Sequence, residues 1–374
     1  MKFIISAVEE VIQQYKGGQP LNLFLKSFFK TRPKLGSRDR RVITDSVYTY
    51  YRIAKFTKNP NTRIWDILNW ALKEQVIEQP ILEKIIEPLN TQTINVDFNI
   101  FDDTIFSEGI INQEWTKSIL KQSKTFIRIR EGFEQFVKET LTKNNILYYK
   151  IKEHIVALEN GVKLQNILAP ETYVIQDFSS QRSLDALKPI LNKQSQFSIW
   201  DACSGAGGKT ILIKDSYPKT HLFCTDLRSN ILFNLKERAK LYQLKNIKTQ
   251  VLDITKAEKI SEIKQNFDII ISDVPCSGSG TWARTPEQFY YFDPIATKKF
   301  NQLQTTIIRN ASTKVKPGGH LAYITCSVFK EENENVIAHF LKDNSNFKLL
   351  SQNLINGIED QADSMFTALL QKQF

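Results

Sequence analysis

Apolar residues in the first third of the chain recur every three or four positions, which is the spacing of helices that bury one face. Within residues 1–60 this pattern covers three segments, and Gly17-Gly18 separates the first from the second. Ser37 stands where it would cap the third helix, and the helical pattern continues to residue 124. The pattern therefore predicts an all-helical domain over residues 1–124.

The pattern changes in residues 125–189, where a strand, a helix and two further strands follow one another. This order fits a small α+β subdomain of the ferredoxin-like or RNA-recognition-like type. The segment lacks the aromatic signature of an RNA-recognition motif, so the assignment depends on topology alone. A spacer packed against the following domain remains an equally good interpretation.

From residue 190 to residue 374, short apolar runs alternate with helical stretches. The candidate strands are FSIWDA, THLFCTD, IKTQVLD, FDIIISD, HLAYITCS, FKLLSQ and MFTALLQK. Strands that alternate with helices predict an α/β domain built on a mostly parallel, doubly wound sheet.

The net charge of the 374-residue chain is +10, and the basic residues are concentrated near the N-terminus. Residues 1–60 hold twelve Lys and Arg against four Asp and Glu, whereas residues 61–124 hold six against ten. Five cations of the third predicted helix lie off its apolar stripe: Arg38, Arg40, Arg41, Arg52 and Lys55. A clustered basic face attracts the phosphates of a nucleic acid, but a merely solvated helix shows the same pattern.

The composition, with 41% hydrophobic and 24% charged residues, is that of a soluble globular protein. Its four cysteines show no Cys-x-x-Cys spacing, and its four histidines are scattered, which argues against a disulfide framework and predicts no metal site. The apolar stretch at the N-terminus is too short for a signal-peptide core, and no run approaches the roughly 20 residues that span a bilayer. We expect a cytoplasmic protein without a membrane partner.

The segment IWDACSGAGGKT follows one candidate strand and opens a helix, so its backbone N–H groups would face a polar or anionic ligand. A nucleotide-binding P-loop requires Gly, four residues and then Gly-Lys-Ser/Thr. Gly208, Lys209 and Thr210 match the second half, but Cys203 stands where the first Gly is required. A P-loop NTPase therefore remains only as an alternative.

The other interpretation of this loop is a Rossmann-like nucleoside site, which requires an acidic residue about 20 positions later to bind ribose hydroxyls. Asp226 ends the next candidate strand, and Asp253 ends the third, where it would meet the adenine amino group. Each carboxylate taken alone would also serve as a helix cap. The pyrophosphate fingerprint of NAD sites is missing, so S-adenosylmethionine, a nucleoside without phosphates, is the expected cofactor.

Asp273, Cys276 and Cys326 follow the ends of two candidate strands that would be neighbours in the sheet. Methylation of pyrimidine carbon 5 needs a thiolate that first adds to carbon 6, and a second group that assists release fits the same chemistry. Asp273 would hydrogen-bond the base, and Lys209 would lower a thiol pKa. Cys203 and Cys224 are read as small apolar residues rather than catalysts.

These segments resemble the Sun/Fmu-type RNA cytosine-carbon-5 methyltransferases. The similar segments are DACSGAGGKT, DVPCSGSGTWARTPE, KPGGHLAYITCSVFKEENENV, DSMFTALLQK and VIQDFSSQ. The resemblance implies a Rossmann-like domain with a doubly wound, seven-stranded mixed sheet. It also implies that Cys326 is the nucleophile, that Cys276 aids release and that Arg284 and Lys209 orient the target base.

The resemblance further implies which residues bind S-adenosylmethionine. They are Cys203, Ser204, Gly205, Ala206, Gly207, Gly208, Lys209, Asp226, Asp253 and Asp273. Ser204-Gly205-Ala206 departs from the Ala-Ala-Pro that is common in the family.

The stretch LGSRDRRVITDSVYTYYR resembles the helical, antiterminator-like RNA-binding domain of the bacterial small-subunit rRNA branch. The combined expectation is a monomeric enzyme that forms 5-methylcytosine in RNA, with 16S ribosomal RNA as the substrate. A non-catalytic RNA-binding assembly factor that keeps the fold is the competing hypothesis.

Overall fold

The computed structural model describes residues 1–59, 61–152, 154–193 and 196–374. Pro60, Glu153, Gln194 and Ser195, which fall inside the predicted domains, lie outside the described residues. The helices are α1 (Lys2–Gln14), α2 (Leu21–Lys30), α3 (Ser37–Ile53), α4 (Ile64–Lys73), α5 (Pro80–Ile86), α6 (Asn112–Ser118), α7 (Glu134–Lys143), α8 (Phe178–Arg182), α9 (Lys188–Leu191), α10 (Gly208–Ser216), α11 (Ser229–Leu241), α12 (Ala257–Ser261), α13 (Pro286–Tyr291), α14 (Ala296–Ser312) and α15 (Glu334–Asp343). The strands are β1 (Thr125–Ile129), β2 (Tyr148–Lys152), β3 (Ile155–Leu158), β4 (Tyr173–Ile175), β5 (Ser198–Asp201), β6 (His221–Asp226), β7 (Ile247–Val251), β8 (Phe267–Asp273), β9 (Val315–Thr325), β10 (Phe347–Ile355) and β11 (Met365–Lys372).

The chain forms two compact units. The helical unit consists of residues 1–104, 111–122 and 281–294, and the α/β unit consists of residues 105–110, 123–280 and 295–374. Both units are therefore assembled from separate parts of the chain. The finer division predicted at residues 124 and 189 stays a prediction.

The core of the helical unit lies between α1, α2 and α3, where the apolar stripes predicted from the spacing meet. Val42, Ile43 and Val47 of α3 are almost completely buried. The predicted cap is wrong by one residue, because Gly36 is the N-cap and Ser37 is the first helical residue. The Asp39 carboxylate instead accepts a hydrogen bond from the Gly36 N–H at 3.1 Å, which closes the start of α3.

The helical unit also contains α13, although α13 comes between β8 and α14 in the sequence. Tyr291 of α13 donates its hydroxyl to the carbonyl of Tyr15 at 2.8 Å. The rings of Tyr290 and Tyr51 meet edge to face with centroids 5.2 Å apart. Aromatic contacts of this kind attach the inserted segment to α1 and α3.

Two cations that the sequence assigned to the exposed basic face are used inside the helical unit instead. Arg52 is 6% exposed and donates through Nη1 to the carbonyl of Ile119 at 2.6 Å. Lys55 donates through Nζ to the carbonyls of Phe289, at 2.8 Å, and Phe292. Their expected contact with nucleic acid is therefore wrong, because both head groups satisfy buried carbonyl oxygens.

The first part of the α/β unit is a four-stranded antiparallel sheet in the order β2-β3-β1-β4. Helix α7 connects β1 to β2, which gives the strand-helix-strand-strand order read from the sequence. The connection from β3 to β4 contains only short 3₁₀ turns, at Leu164–Asn166 and Pro170–Thr172. The subdomain thus has the α+β character that was expected, with a turn where a full ferredoxin-like fold has its second helix.

The second part of the α/β unit is a seven-stranded sheet in the order β10-β11-β9-β8-β5-β6-β7. Strands β7, β6, β5, β8 and β9 pair in parallel, whereas β11 is antiparallel to both β9 and β10. All seven candidate strands are present, and the predicted doubly wound, mixed sheet is confirmed. The order reverses at β5, so the loops after β5 and β8 open at the same edge, where α/β proteins bind ligands.

The centre of this sheet is apolar, since Ile269, Ile270 and Ile271 of β8 have no exposed surface. In the part of the chain that the structure describes, no helix has the length and apolar character needed to cross a membrane.

Candidate active site

The loop between β5 and α10 contains two glycines in the left-handed region. Gly205 has a φ of +52° and Gly207 a φ of +82°. A Cβ on Gly207 would lie 2.9 Å from Cγ of Leu235, so a larger residue would strain the backbone and collide with α11. These two positions need glycine because the chain turns sharply here from strand to helix.

Contacts on several sides hold the loop in one conformation. The backbone N–H of Ser204 donates to the carbonyl of Thr225 at 2.9 Å. Arg238 donates through Nη1 to the carbonyl of Ala206 at 2.7 Å, and Gln176 reaches the carbonyl of Gly208 at 3.4 Å. The predicted cofactor residues Cys203 to Lys209 therefore form an ordered turn at the carboxyl end of β5.

Asp226, the last residue of β6, lies directly beside this loop. Its Oδ2 atom accepts the N–H of Gly205 at 3.1 Å, and its Oδ1 atom accepts the Nε–H of Arg228 at 3.1 Å. Burial alone would raise the pKa of Asp226, but the hydrogen bonds from Arg228 and Gly205 hold it below its usual value. Asp226 is thus an ionised acceptor at the edge of the loop, and the sequence had not indicated Arg228.

Asp253 lies two residues beyond the end of β7, because the strand is shorter than the candidate run. Its Oδ1 atom accepts the backbone N–H of Thr255 at 3.0 Å and the Thr255 hydroxyl at 2.6 Å. This is an Asx turn rather than the helix cap that competed with cofactor binding, because Lys256 is the N-cap of α12. The expected contact of Asp253 with an adenine stays a prediction.

The two residues that would serve a P-loop are engaged in other contacts. Lys209 donates through Nζ to Asp273 Oδ2 at 2.6 Å, and Thr210 donates its hydroxyl to Asp201 Oδ2 at 2.6 Å. A P-loop uses this lysine for phosphates and this hydroxyl for Mg²⁺. Because both groups face carboxylates here, the loop is poorly suited to a nucleoside triphosphate.

Asp201 itself is 1% exposed, and its Oδ1 atom is buried without a hydrogen-bond partner. Burial raises the pKa of its carboxyl to about 6. Asp201 was not among the predicted site residues, although it stands directly before the loop as the first residue of DACSGAGGKT.

The two remaining cysteines differ from the proposed catalytic pair. Cys224 has no exposed surface and lies in the core beneath the loop, 3.3 Å from the Thr210 hydroxyl. Burial raises the pKa of both Cys203 and Cys224. A thiol with a raised pKa is a poor nucleophile, so neither Cys224, which is buried, nor Cys203, which is partly accessible, is expected to react.

Cys276 and Cys326 follow the ends of β8 and β9, which pair in parallel with Asp273 opposite Ile324. Their sulfur atoms lie 3.3 Å apart, and both residues are partly accessible free thiols. The hydrogen bond with Cys326 raises the pKa of Cys276 well above its usual value, and burial adds to the shift. The expected lowering of a thiol pKa by Lys209 has no counterpart in these contacts, because that ammonium is paired with Asp273.

Serine hydroxyls and one carboxylate surround the two cysteine loops. Ser279 and Ser327 lie 3.1 Å apart through their hydroxyls, and the N–H of Gly280 donates to the carbonyl of Cys326 at 2.9 Å. Glu332, which is fully buried, accepts hydrogen bonds from both loops. The repeated pattern of a small or hydroxyl residue after each cysteine was the sequence signal for this network.

Arg284, the remaining predicted site residue, belongs to the helical unit, whereas the others belong to the α/β unit. Its backbone N–H donates to the carbonyl of Thr281 at 2.8 Å. Its expected contact with the target base stays a prediction. Among the described residues, no three His, Cys, Asp or Glu side chains are grouped as metal ligands.

The arrangement of this edge, with a glycine loop, an acidic strand end and two adjacent cysteines, can now be compared with known proteins. Residues 188–371 match a family model described as 16S rRNA methyltransferase RsmB/F. Over these residues, just under half of the chain, the sequence is similar to the RsmB/F family. This RsmB/F segment, residues 188–371, contains the seven-stranded sheet except for the last residue of β11. The match confirms the small-subunit rRNA methyltransferase resemblance found in the motifs.

Curated relatives match less than half of this chain. Ribosomal RNA small subunit methyltransferase B of Yersinia pseudotuberculosis is 36% identical over 168 residues, which is 45% of this chain and 38% of the relative. The same protein of Yersinia pestis matches equally well. The matched region thus spans well under half of the length of these relatives.

Solved structures extend the likeness of the fold beyond the RsmB/F segment. The crystal structure of a protein named PH0851 has a TM-score of 0.71 and 20% identity, and the alignment covers 99% of this chain and 97% of that protein. NSun6 from Pyrococcus horikoshii, solved with SFG, has a TM-score of 0.61 and 15% identity over 70% of this chain and 94% of that protein. The fold is therefore a Rossmann-like methyltransferase fold with further elements before it.

Proposed function

We propose that the protein transfers a methyl group from S-adenosylmethionine to carbon 5 of a cytosine in small-subunit ribosomal RNA. The observation that carries the proposal is the pair of free cysteine sulfurs 3.3 Å apart at the ends of two parallel strands. Methylation at oxygen or at an exocyclic nitrogen needs a lone pair and a base, whereas carbon 5 of a pyrimidine needs a sulfur nucleophile. The RsmB/F family match supports ribosomal RNA as the class of substrate.

The loop after β5 suits a nucleoside methyl donor that carries no phosphate. The open space beside Gly205, where a Cβ would meet no atom within 4 Å, and the ionised carboxylate of Asp226 are features that suit a nucleoside with ribose hydroxyls. The exposed side chain of Arg228 is paired with Asp226 and must move away before the ribose hydroxyls can bind this carboxylate. Asp253 is proposed to contact the adenine amino group.

When bound, S-adenosylmethionine supplies an electrophilic methyl group, and the remaining chemistry belongs to residues of this chain. The Cys326 sulfur adds to carbon 6 of the cytosine, which gives carbon 5 the electron density to take up the methyl group. Asp273 accepts a hydrogen bond from the base, and the ammonium of Lys209, which lies 2.6 Å from Asp273, offsets the negative charge that develops in the ring. Carbon 5 then gives up its proton to water, and the electron pair of the breaking bond between carbon 6 and sulfur returns to Cys326.

Cys276 assists this last step in our proposal. Negative charge returns to the Cys326 sulfur as it leaves the ring, and a protonated Cys276 donates a hydrogen bond to it. The raised pKa of Cys276 keeps its proton in place near neutral pH. A thiol that stays protonated is a poor nucleophile, so the same shift favours Cys326 as the attacking residue.

The helical unit offers a basic surface to the RNA. A groove of about 580 Å³ between α2 and α3 is lined by three cations, Lys26, Lys30 and Arg40, and by the rings of Phe29 and Tyr48. Cations bind phosphates and aromatic rings stack on bases, so this groove fits a single-stranded segment. The target cytosine must leave its stack before it can reach Cys326, which costs a few kcal/mol.

One experiment tests the function directly. The purified protein is incubated with small-subunit ribosomal RNA and methyl-labelled S-adenosylmethionine, and the label is mapped to single nucleotides. We expect 5-methylcytosine at a discrete position. Tight donor binding without transfer to any cytosine would contradict the proposal, and failure to bind the donor at all would favour a non-catalytic assembly factor.

A further inference from the structure

The side chain of Glu332 lies between the two cysteine loops and accepts a hydrogen bond from each. Its Oε2 atom accepts the backbone N–H of Ser277, the residue after Cys276, at 2.7 Å. Its Oε1 atom accepts the hydroxyl of Ser327, the residue after Cys326, at 2.8 Å. A single carboxylate therefore joins the backbone of one loop to a side chain of the other.

This carboxylate has no exposed surface, and one backbone N–H and two side chains, all of them neutral, donate to it. The third is Gln304 of α14, whose Nε2 lies 3.1 Å from Oε2. The carbonyl of Glu332 also accepts the Tyr323 hydroxyl at 2.6 Å, which attaches the residue to β9. Burying a carboxylate is costly unless every lone pair is used, so a residue kept here for packing alone would be apolar.

The two cysteine loops are also tightly packed and hydrogen-bonded near Glu332. A Cβ on Gly280 would lie 1.9 Å from the carbonyl oxygen of Ser364, so the end of the first loop is pressed against the backbone before β11. Ser327 receives the N–H of Phe329 at 3.1 Å while it donates to Glu332. Glu332 is thus the acceptor on which the donors of both loops converge.

We infer that Glu332 is a positioning residue that holds the sulfurs of Cys276 and Cys326 at the separation needed for release of the methylated base. The inference rests on the proposed function for its catalytic consequence, but the geometry itself does not depend on it. Removal of the carboxylate leaves the Ser277 N–H and the Ser327 hydroxyl without their acceptor. The two cysteine loops then relax independently. The loop between β5 and α10, which is proposed to bind S-adenosylmethionine, and the basic groove stay unchanged.

The test compares Glu332→Ala, Glu332→Gln and the control Glu331→Gln. Glu331 is the neighbouring acid, and its side chain contacts Asn335 rather than either cysteine loop. We expect Glu332→Ala to lower kcat for methyl transfer by about 10-fold or more, with unchanged KM for RNA and unchanged donor affinity. Glu332→Gln keeps one acceptor oxygen for Ser277 and is expected to recover most of the lost kcat.

A second readout needs neither RNA nor methyl donor. Diamide oxidises two adjacent thiols to a disulfide and takes up their two hydrogens and two electrons, so the rate of Cys276–Cys326 coupling reports how often the sulfurs meet. Mass spectrometry of the linked peptides follows this rate, which we expect to fall about 10-fold in Glu332→Ala and to stay unchanged in Glu331→Gln.

Wild-type coupling and wild-type kcat in Glu332→Ala would overturn the inference. If Glu332→Ala does not fold, Ser327→Ala removes one of the two contacts and carries the same expectation with a smaller loss. Should the wild-type protein methylate no RNA, the proposed function fails, and the coupling rates alone decide whether Glu332 holds the pair.

Discussion

The sulfur atoms of Cys276 and Cys326 lie 3.3 Å apart although 49 residues separate them in the chain. Their meeting follows from the parallel pairing of β8 and β9, which brings Asp273 opposite Ile324 and ends both strands at one edge. Sheet register is fixed wherever strands are buried, so the cysteine separation depends on the core of the protein. The same edge holds the glycine loop and the Asp226 carboxylate.

The first prediction concerns the nucleophile. Cys326→Ala removes the atom that adds to carbon 6 and is expected to lower methyl transfer by at least about 1,000-fold, since no other group makes carbon 5 reactive. S-adenosylmethionine binding should remain within about 2-fold of the wild type, because Cys326 follows β9 whereas the proposed cofactor loop follows β5. The matched control is Cys224→Ala, a cysteine in the core, which should retain activity.

The second prediction concerns the donor. Asp226→Asn weakens the acceptor for ribose hydroxyls, and we expect at least about a 10-fold loss of S-adenosylmethionine affinity by calorimetry. Arg228→Ala removes the competitor that holds Asp226 and should bind the donor at least as tightly as the wild type. Equal losses in both variants would show that the ribose is bound elsewhere.

The third prediction concerns pH. The Asp201 carboxyl has its ordinary pKa of 3.8 in the unfolded chain and a pKa of about 6 in the folded protein, so folding takes up a proton between these values. Stability is then lost as the pH rises through this window. Asp201→Asn removes this titration. As the pH rises from 4 to 7, the free energy of unfolding of the variant should therefore increase by up to about 3 kcal/mol relative to that of the wild type.

Denaturant unfolding at several pH values measures this difference. Asp103→Asn, a change at an exposed carboxylate of the helical unit, is the control and should show no such trend. If the free energies of unfolding of Asp201→Asn and the wild type differed by the same amount at every pH in this window, the raised pKa of Asp201 would be contradicted.

The fourth prediction concerns the basic groove. Lys26→Ala with Lys30→Ala removes two phosphate partners, so the slope of log affinity against log salt should fall by about 1 to 2 for single-stranded RNA. Lys73→Ala with Lys84→Ala changes the charge equally in the acidic part of the helical unit and should leave the slope unchanged. If both double variants changed the salt dependence of RNA affinity equally, RNA binding would depend on the net charge of the protein and not on this groove.

Much of the α/β unit could be predicted from the sequence because buried parallel strands are short apolar runs with conspicuous endings. All seven strands of the large sheet were recognised, and the cysteines were expected at the ends of neighbouring strands. The end of β7 was less distinct, and Asp253 lies beyond the strand because an Asx-type turn with Thr255 ends the pairing first. Local hydrogen bonding of this kind competes with the ladder and is hard to read from composition.

The misjudged residues are those whose partners lie far away in the sequence. Arg52 and Lys55 were expected on an exposed face, but they satisfy carbonyls of residues 119, 289 and 292. Lys209 was expected near a thiol, but its ammonium faces Asp273. Nothing local to these cations indicates such contacts. Glu332 was not among the predicted site residues because two of its three donors, Ser277 and Gln304, lie 55 and 28 residues away.

The central claim is that Cys326 becomes covalently attached to the base and that Cys276 is needed to release it. The most direct measurement incubates Cys276→Ala with RNA and S-adenosylmethionine, digests the product and identifies the linked peptide by mass spectrometry. We predict a methylated cytosine bonded to Cys326 in a complex that survives denaturation. Free methylated RNA with no linked peptide, or a link at any other residue, would contradict the account.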